Sequence, residues 1–361
     1  MRIDAAVVTT PGGPFEVVPV HIDAPRAGEI LVRMRAVGIC HTDLGMKATW
    51  PERRMPQVFG HEGAGVVEAV GPGVTGLAPG QTVCLTFRSC GTCVQCADGH
   101  PAYCSTGLNT AGRADGSPTL TRDGDPVFGG FFGQSSFATY AIAHADNAIA
   151  VPENLPPHIA APLGCGVQTG YGTITRVLRP APDSTVTVYG AGSVGLCAVM
   201  AAVRAGARVV AVDPIESRRT LADGLGAIGT VDPTEVGDVA AAVTSCHGRG
   251  TDHAVDTTAR QDVFAAAVAA AEPRGGIALV GIGRRLEFDV MQVLYKGLTI
   301  RGVIEGDVVP GEIIPELAAL YSAGELPIDN LIEVYPFADI ERAAADSISG
   351  ATVKPVLVFD A

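Results

Sequence analysis

Residues 185–213 constrain the fold more than any other stretch of the chain. The apolar run TVTVY runs straight into Gly190, Gly192 and Gly195, which form G-x-G-x-x-G. A helical run, GLCAVMAAVR, follows, and then a second strand-like run, ARVVAV, that ends at Asp213. A strand that turns on glycines into a helix and returns as a second strand is the building unit of doubly wound α/β sheets. Further strand-like runs at 227–232, 253–258, 276–282 and 298–304, separated by helical stretches such as 262–271, repeat the unit. The expected fold of this region is a Rossmann-type parallel sheet with helices on both faces.

The same glycines carry a binding expectation. Gly190 permits the tight turn, Gly192 lets a pyrophosphate approach the backbone, and Gly195 lets helix and sheet pack closely. Ser193 and Val194 open the helix whose N-terminus would meet the phosphates. Asp213 stands 18 residues after Gly195, where a carboxylate accepts both ribose hydroxyls and repels a 2'-phosphate. NAD is therefore expected over NADP, with Arg218 beside this site and Arg219 next to it keeping the phosphorylated cofactor in play.

Residues 1–150 read differently. Short apolar runs at 30–37, 65–70 and 82–85 are punctuated by turns at PGG, GPG and APG, so this part is expected to be β-rich with no helical period. The segment 105–130, rich in Gly, Asp, Thr and Pro, reads as a surface loop. The last run, 352–359, reads as a strand, and Pro355 places it at a sheet edge.

Within the first region Cys90, Cys93, Cys96 and Cys104 give C-x2-C-x2-C-x7-C. Spacings this short bring four thiolates to the corners of a tetrahedron, which zinc accepts because it imposes no electronic geometry of its own. Four protein ligands leave no open position, so this zinc would hold a loop and do no chemistry. A disulfide pair and an iron–sulfur cluster are the rival readings. The start, MRIDAAVVTT, has no basic stretch followed by an apolar core, so nine cysteines point to metal before disulfides and the protein is expected in the cytoplasm. A net charge of −13 argues against a general nucleic-acid or membrane-surface role.

Over nearly its whole length the chain resembles the zinc-dependent medium-chain alcohol dehydrogenases, and within them the aryl (benzyl-type) members. The resemblance rests on GICHTD at 38–43, GHEGAG at 60–65, the four-cysteine loop, FFGQSSFATYA at 131–141, GCGVQTGYG at 164–172, GAGSVG at 190–195 and TIRGVIEGD at 299–307. It implies a discontinuous β-rich GroES-like catalytic domain, residues 1–166 plus 305–361, around an NAD-binding domain from 167 to 304. It also implies a catalytic zinc on Cys40, His61 and Cys165 in addition to the structural one. Two thiolates and an imidazole leave one tetrahedral corner, where a zinc-bound alcohol is acidified and can expel hydride toward the nicotinamide.

By the same resemblance Thr42 takes the proton of the substrate oxygen, and Asp43 is the partner of His61. Glu62 is either a structural ion pair behind the metal or a participant in ligand exchange. His41 and Lys354 correspond to positions that meet the cofactor pyrophosphate, and Thr169 to one beside the nicotinamide. Many members carry a His five residues after the first zinc ligand, where this chain has Gly45, as aryl-type members commonly do. The proton is then expected to pass from Thr42 and the ribose hydroxyl to water or buffer.

Trp50, Phe87, Phe131 and Phe132 are the aromatic residues nearest these motifs, and Ile282 follows a strand end expected to face the cofactor. Together they suggest an apolar slot for flat hydrophobic primary alcohols and aldehydes of benzyl, cinnamyl or terpenoid type. The resemblance further implies a homodimer or homotetramer, with residues near 291–304 extending the sheet across subunits. Two rivals stay open: a dehydrogenase of the same fold acting on a thiol adduct of formaldehyde, and a zinc- and NAD-binding protein without turnover.

Overall fold

In a computed structural model that describes residues 1–106, 112, 113, 115–283 and 285–359, the strands form three sheets. The chain divides into one unit of residues 1–165 and 309–361 and another of residues 166–308. Glu305 and Gly306 belong with the second unit. Glu305 accepts hydrogen bonds there from Gln168 and Thr169, and a side chain at Gly306 would meet the Gln168 carbonyl.

The first unit holds two largely antiparallel sheets. One runs Gln57–Val58, Arg2–Val8, Glu16–Ile22, Leu120–Arg122, Asp125–Val127. The other runs Ala148–Ala150, Thr82–Leu85, Gly63–Val70, Glu29–Gly38, Lys354–Val358, Ile332–Pro336, with Tyr140–His144 also paired to Glu29–Gly38. Strand residues with apolar side chains turn inward from both sheets, and Phe59, Phe131 and Phe137 are among the largest buried rings of the core.

Three local expectations give way here. Lys354–Val358 is an interior strand, parallel to Ile332–Pro336 and antiparallel to Glu29–Gly38. Pro355 is tolerated because the antiparallel ladder begins one residue later, at Val356, while the Pro355 carbonyl still accepts the Ile39 amide at 2.9 Å. The segment 105–130 contains a hairpin, Leu120–Arg122 with Asp125–Val127, and a buried Arg113 paired with Glu29 and Asp23; residues 107–111 and 114 lie outside the described residues. Finally, His41–Thr49 is a helix in a region expected to be β-rich with no helical period.

The second unit is a six-stranded parallel sheet in the order Gly229–Val231, Arg208–Val212, Thr185–Tyr189, Thr251–Asp256, Ala271–Leu279, Thr299–Gly302. The first strand in sequence lies third in this order, so strand order reverses at its edge and opens a crevice at the carboxyl ends. Helices Ser193–Arg204, Glu216–Gly224, Val239–His247, Gln261–Ala270 and Val290–Lys296 connect the strands. Thr185–Tyr189 is buried at every residue, as a strand covered on both faces must be.

Candidate active site

The centre of the first unit is assembled from three pieces of chain. The helix His41–Thr49 starts at Cys40, whose thiol accepts the Thr42 amide at 3.5 Å while Asp43 Oδ2 accepts the Cys40 amide at 3.1 Å. This is a capping box with Cys in the place usually held by Ser or Thr. The box fixes both side chains at the helix mouth. Asp43 Oδ1 then accepts the Gly60 amide at 3.1 Å and meets His61 Nδ1 at 2.8 Å.

Cys165 arrives on a π-helical turn, Leu163–Val167, after the short helix Pro157–Pro162. Gly164 makes its approach possible, because a Cβ there would stand 2.0 Å from the Leu85 carbonyl oxygen. Thr86 pins the turn by donating to the Gly164 carbonyl at 2.7 Å. Such turns recur at functional sites because they re-aim one side chain within a helix.

The result brings Cys40, His61, Glu62 and Cys165 to within 4.8 Å of one another at their ligand atoms. His61 Nε2 and Cys165 Sγ are 3.3 Å apart, close to the roughly 3.6 Å that zinc–nitrogen and zinc–sulfur bonds subtend at a tetrahedral centre. With Nδ1 committed to Asp43, Nε2 presents its lone pair to this cluster. The donor set fits zinc.

The electrostatics favour a thiolate at Cys40 and, with no metal bound, a protonated imidazole at His61, whose Nε2 proton a metal ion would displace. Hydrogen bonding with Cys165 holds the Cys40 thiol well below its ordinary range against the effect of burial, and His61 adds to it. Burial pushes the His61 imidazole down, but the Asp43 carboxylate outweighs it and the net direction is up. Burial raises Glu62, and Lys354 opposes the rise; Lys354 is itself held above its usual value because Glu62 overcomes the desolvation of its ammonium.

Lys354 has its partners within the chain. All three of its donors are committed, to Glu62 Oε1 at 2.9 Å, Glu62 Oε2 at 2.8 Å and the Ile39 carbonyl at 3.2 Å, and the residue is 3% exposed. A buried ammonium takes the nearest buried carboxylate, so Lys354 neutralises Glu62 here. Glu62 is accordingly an ion-paired residue behind the thiols. His41 is exposed at the first helical position.

Cys90, Cys93, Cys96 and Cys104 also converge, their sulfurs all within 4.8 Å, and none is in a disulfide. The separations Cys93–Cys96 of 3.5 Å and Cys90–Cys96 of 4.0 Å bracket the roughly 3.8 Å of a tetrahedral zinc tetrathiolate. Amide donors at Ser105 and Cys96 bring Cys93 down to about 5. Burial raises Cys104, but its bond to the Thr106 hydroxyl prevails and brings it to about 7.

In the second unit Gly190 has φ +88° and Gly195 leaves no room for a Cβ, which would stand 1.9 Å from the Gly190 carbonyl oxygen. Gly192 is the opposite case. A Cβ there would meet nothing within 4 Å, so the open space beside the helix Ser193–Arg204 is the cradle a pyrophosphate requires. Asp213 accepts the Ala191 amide at 2.7 Å and the Ile215 amide at 2.9 Å, and Arg218 Nη1 lies 3.9 Å from its carboxylate. Arg219 pairs with Asp232 at 2.8 Å. Thr169 donates to Glu305 at 3.3 Å, and Ile282 is 79% exposed.

The aromatic residues form a nested group. Trp50 meets Phe59 and Phe131 edge-on at 5.6 and 5.4 Å, and Phe131 meets His61 at 5.8 Å. Phe132 stacks on the His61 ring at 4.6 Å and 27°. Phe131 is 0% exposed, so it backs Phe132 and His61, and Phe87 lies in the same core. Phe59 and Gln134 were not anticipated. Phe59 is two residues from His61 in sequence, whereas Gln134 is 73 residues away, and its place in the motif FFGQSSFATYA was the available signal.

Comparison with known proteins decides the family. Residues 26–153 match the alcohol dehydrogenase GroES-like domain and residues 193–323 the zinc-binding dehydrogenase domain. Geraniol dehydrogenase of Castellaniella defragrans is 42% identical over 98% of this chain and 97% of its own. The chain belongs to the zinc-dependent medium-chain alcohol dehydrogenases. Two solved structures agree with this alcohol dehydrogenase over 100% of both chains. An alcohol dehydrogenase zinc-binding domain protein from Burkholderia ambifaria has TM-score 0.96 at 44% identity, and benzyl alcohol dehydrogenase from Acinetobacter calcoaceticus has TM-score 0.94 at 39% identity.

Proposed function

We propose that this alcohol dehydrogenase interconverts aromatic or allylic terpenoid primary alcohols and their aldehydes, with NAD as the hydride acceptor. The observation that carries the reading is the aromatic group set against His61, in a chain similar to a geraniol and a benzyl alcohol dehydrogenase. Flat apolar substrates are favoured where rings stand beside the reacting centre.

Cys40, His61 and Cys165 would hold the catalytic zinc, and Cys90, Cys93, Cys96 and Cys104 the structural one. Bound there, the catalytic zinc supplies a Lewis acid for the alcohol oxygen, and NAD supplies the hydride acceptor. Asp43 Oδ1 keeps the proton of His61 on Nδ1 and so frees Nε2. Glu62 and Lys354 cancel one another's charge behind the thiols, which limits the negative field that would otherwise raise the cost of thiolates at Cys40 and Cys165. The Thr42 hydroxyl would take the substrate proton, and with no imidazole at Gly45 that proton would leave to water or buffer.

Two features support NAD over NADP: the Asp213 carboxylate, and the engagement of Arg218 and Arg219 with carboxylates of the chain itself. Exposed Val290, Met291, Leu294 and Tyr295 on the helix before the edge strand Thr299–Gly302 support a homodimer or homotetramer that buries this face. The protein works in the cytoplasm on this reading. The deciding experiment is a steady-state survey of benzyl, cinnamyl, terpenoid and short aliphatic alcohols with both cofactors. The expected ranking in kcat/KM places aromatic and allylic alcohols with NAD first; a preference for NADP or for short aliphatic alcohols overturns the corresponding half.

A further inference from the structure

The motif FFGQSS, whose Phe131 and Phe132 belong to the aromatic group beside His61, also holds left-handed backbone next to the metal ligands. Gly130, Phe132, Gly133 and Ser135 have φ of +74°, +51°, +77° and +54°. Glycine adopts such values readily, but for Phe132 they are costly and persist only where the surroundings over-determine them. Hydrogen bonds supply those surroundings. Ser135 Oγ accepts the Phe131 amide at 2.8 Å and donates to the Val58 carbonyl at 2.6 Å, while Gly133 and Gln134 amides return to the Gly130 and Phe131 carbonyls at 2.8 and 3.0 Å.

The strain delivers two contacts to one residue. The Phe132 ring lies on the His61 imidazole at 4.6 Å and 27°, and Gln134 Nε2 donates to the His61 carbonyl at 2.8 Å. Gln134 Oε1 accepts the Gly63 amide at 3.1 Å, so the clamp spans both sides of the ligand. The bond from Asp43 fixes where Nδ1 points but leaves the ring free to tilt about that bond. A stacked ring removes the tilt. The π face also suits an imidazole that gains positive character on binding a cation.

We propose that Phe132 and Gln134 are positioning residues for the catalytic metal: the left-handed turn spends its strain to fix the plane of the His61 ring and thereby slows loss of the metal. This rests on the reading of Cys40, His61 and Cys165 as one metal centre. Phe132 touches the ligand and not the metal, so its effect is on retention and orientation.

The test is metal release from the zinc-loaded full-length protein to excess 4-(2-pyridylazo)resorcinol, with the His61→Ala variant assigning which of two release phases belongs to this centre. Phe132→Leu and Phe132→Met remove the stacked ring while keeping apolar bulk, and Phe132→Tyr keeps the ring. We expect the assigned phase to quicken roughly tenfold or more in the Leu and Met variants, the order of effect of partners that orient a ligand, with the four-cysteine phase unchanged and the Tyr variant at the parent rate. Parent-like release in Leu and Met, equal acceleration of both phases, a Tyr variant no better than Leu, or failure of both Leu and Met variants to fold would each overturn the proposal and leave Phe132 a packing residue. A parent chain that binds one zinc overturns the metal-centre reading itself; two zincs with no effect of Phe132 overturn only this inference.

Discussion

At the scale of single residues, Lys354 and Glu62 make the sharpest claim about stability. Both are buried, and each is the other's charge partner, so Lys354→Met leaves a desolvated carboxylate alone. Removing one member of such a pair costs about 3–5 kcal/mol, whereas replacing both by apolar or neutral groups costs far less. Urea unfolding is expected to show that loss in Lys354→Met and recovery of most of it in Glu62→Gln/Lys354→Met. Gly45 tests the proton route instead. It is exposed on the helix His41–Thr49, and a side chain added there meets nothing within 4 Å, so Gly45→His fits the fold. The parent's proton-transfer rate should rise with the concentration of a small buffer base and the variant's should not; equal dependence in both removes the solvent route.

At the scale of elements, the glycine turn after Thr185–Tyr189 separates fold from binding. Gly195→Ala places a Cβ against backbone on the Gly190 carbonyl and should lower both the unfolding midpoint and NAD affinity. Gly192→Ala enters open space, so its midpoint should match the parent while its Kd for NAD rises roughly tenfold, the equivalent of about 1.4 kcal/mol. Calorimetry and titration on the same samples check both. This turn was legible because strand, glycines and helix are contiguous and each has its own period. The helix His41–Thr49 was not, because it buries only Asp43 and Leu44 and its cap is a cysteine, a residue seldom read as one; C-x-x-D as a capping box was the available signal. The place of Lys354–Val358 was hidden for a different reason. Pro355 argues for an edge in general, and only the register, with pairing to Glu29–Gly38 starting at Val356, removes the objection. The zinc ligands and their spacing could be read; the clamp of Gln134 on His61 is a long-range contact that no local pattern encodes.

At the scale of the whole molecule, acid should act on the second unit through His247. Burial pushes His247 down to about 4, with Arg208 adding to it, while its Nε2 bonds the Thr187 hydroxyl at 3.1 Å. A histidine held neutral in the fold but ordinary when unfolded gives stability that is fully present above about 6.5 and is lost as pH falls from there toward 4, up to about 3 kcal/mol. His247→Leu should flatten that limb of an unfolding-versus-pH curve, since Thr187 keeps Thr251 as a partner at 2.8 Å. The interior position of Lys354–Val358 has a consequence during synthesis. Lys354 closes on Ile39 across 315 residues, and its strand is needed before the sheet around Glu29–Gly38 is whole. The contiguous second unit can fold while the ribosome is still working, but the first must wait for the late strand to thread between its neighbours. Until then Lys354 cannot reach Glu62, so that carboxylate stands beside Cys40 and His61 without its ion partner, and the charge balance of the site is the last part of it to be completed.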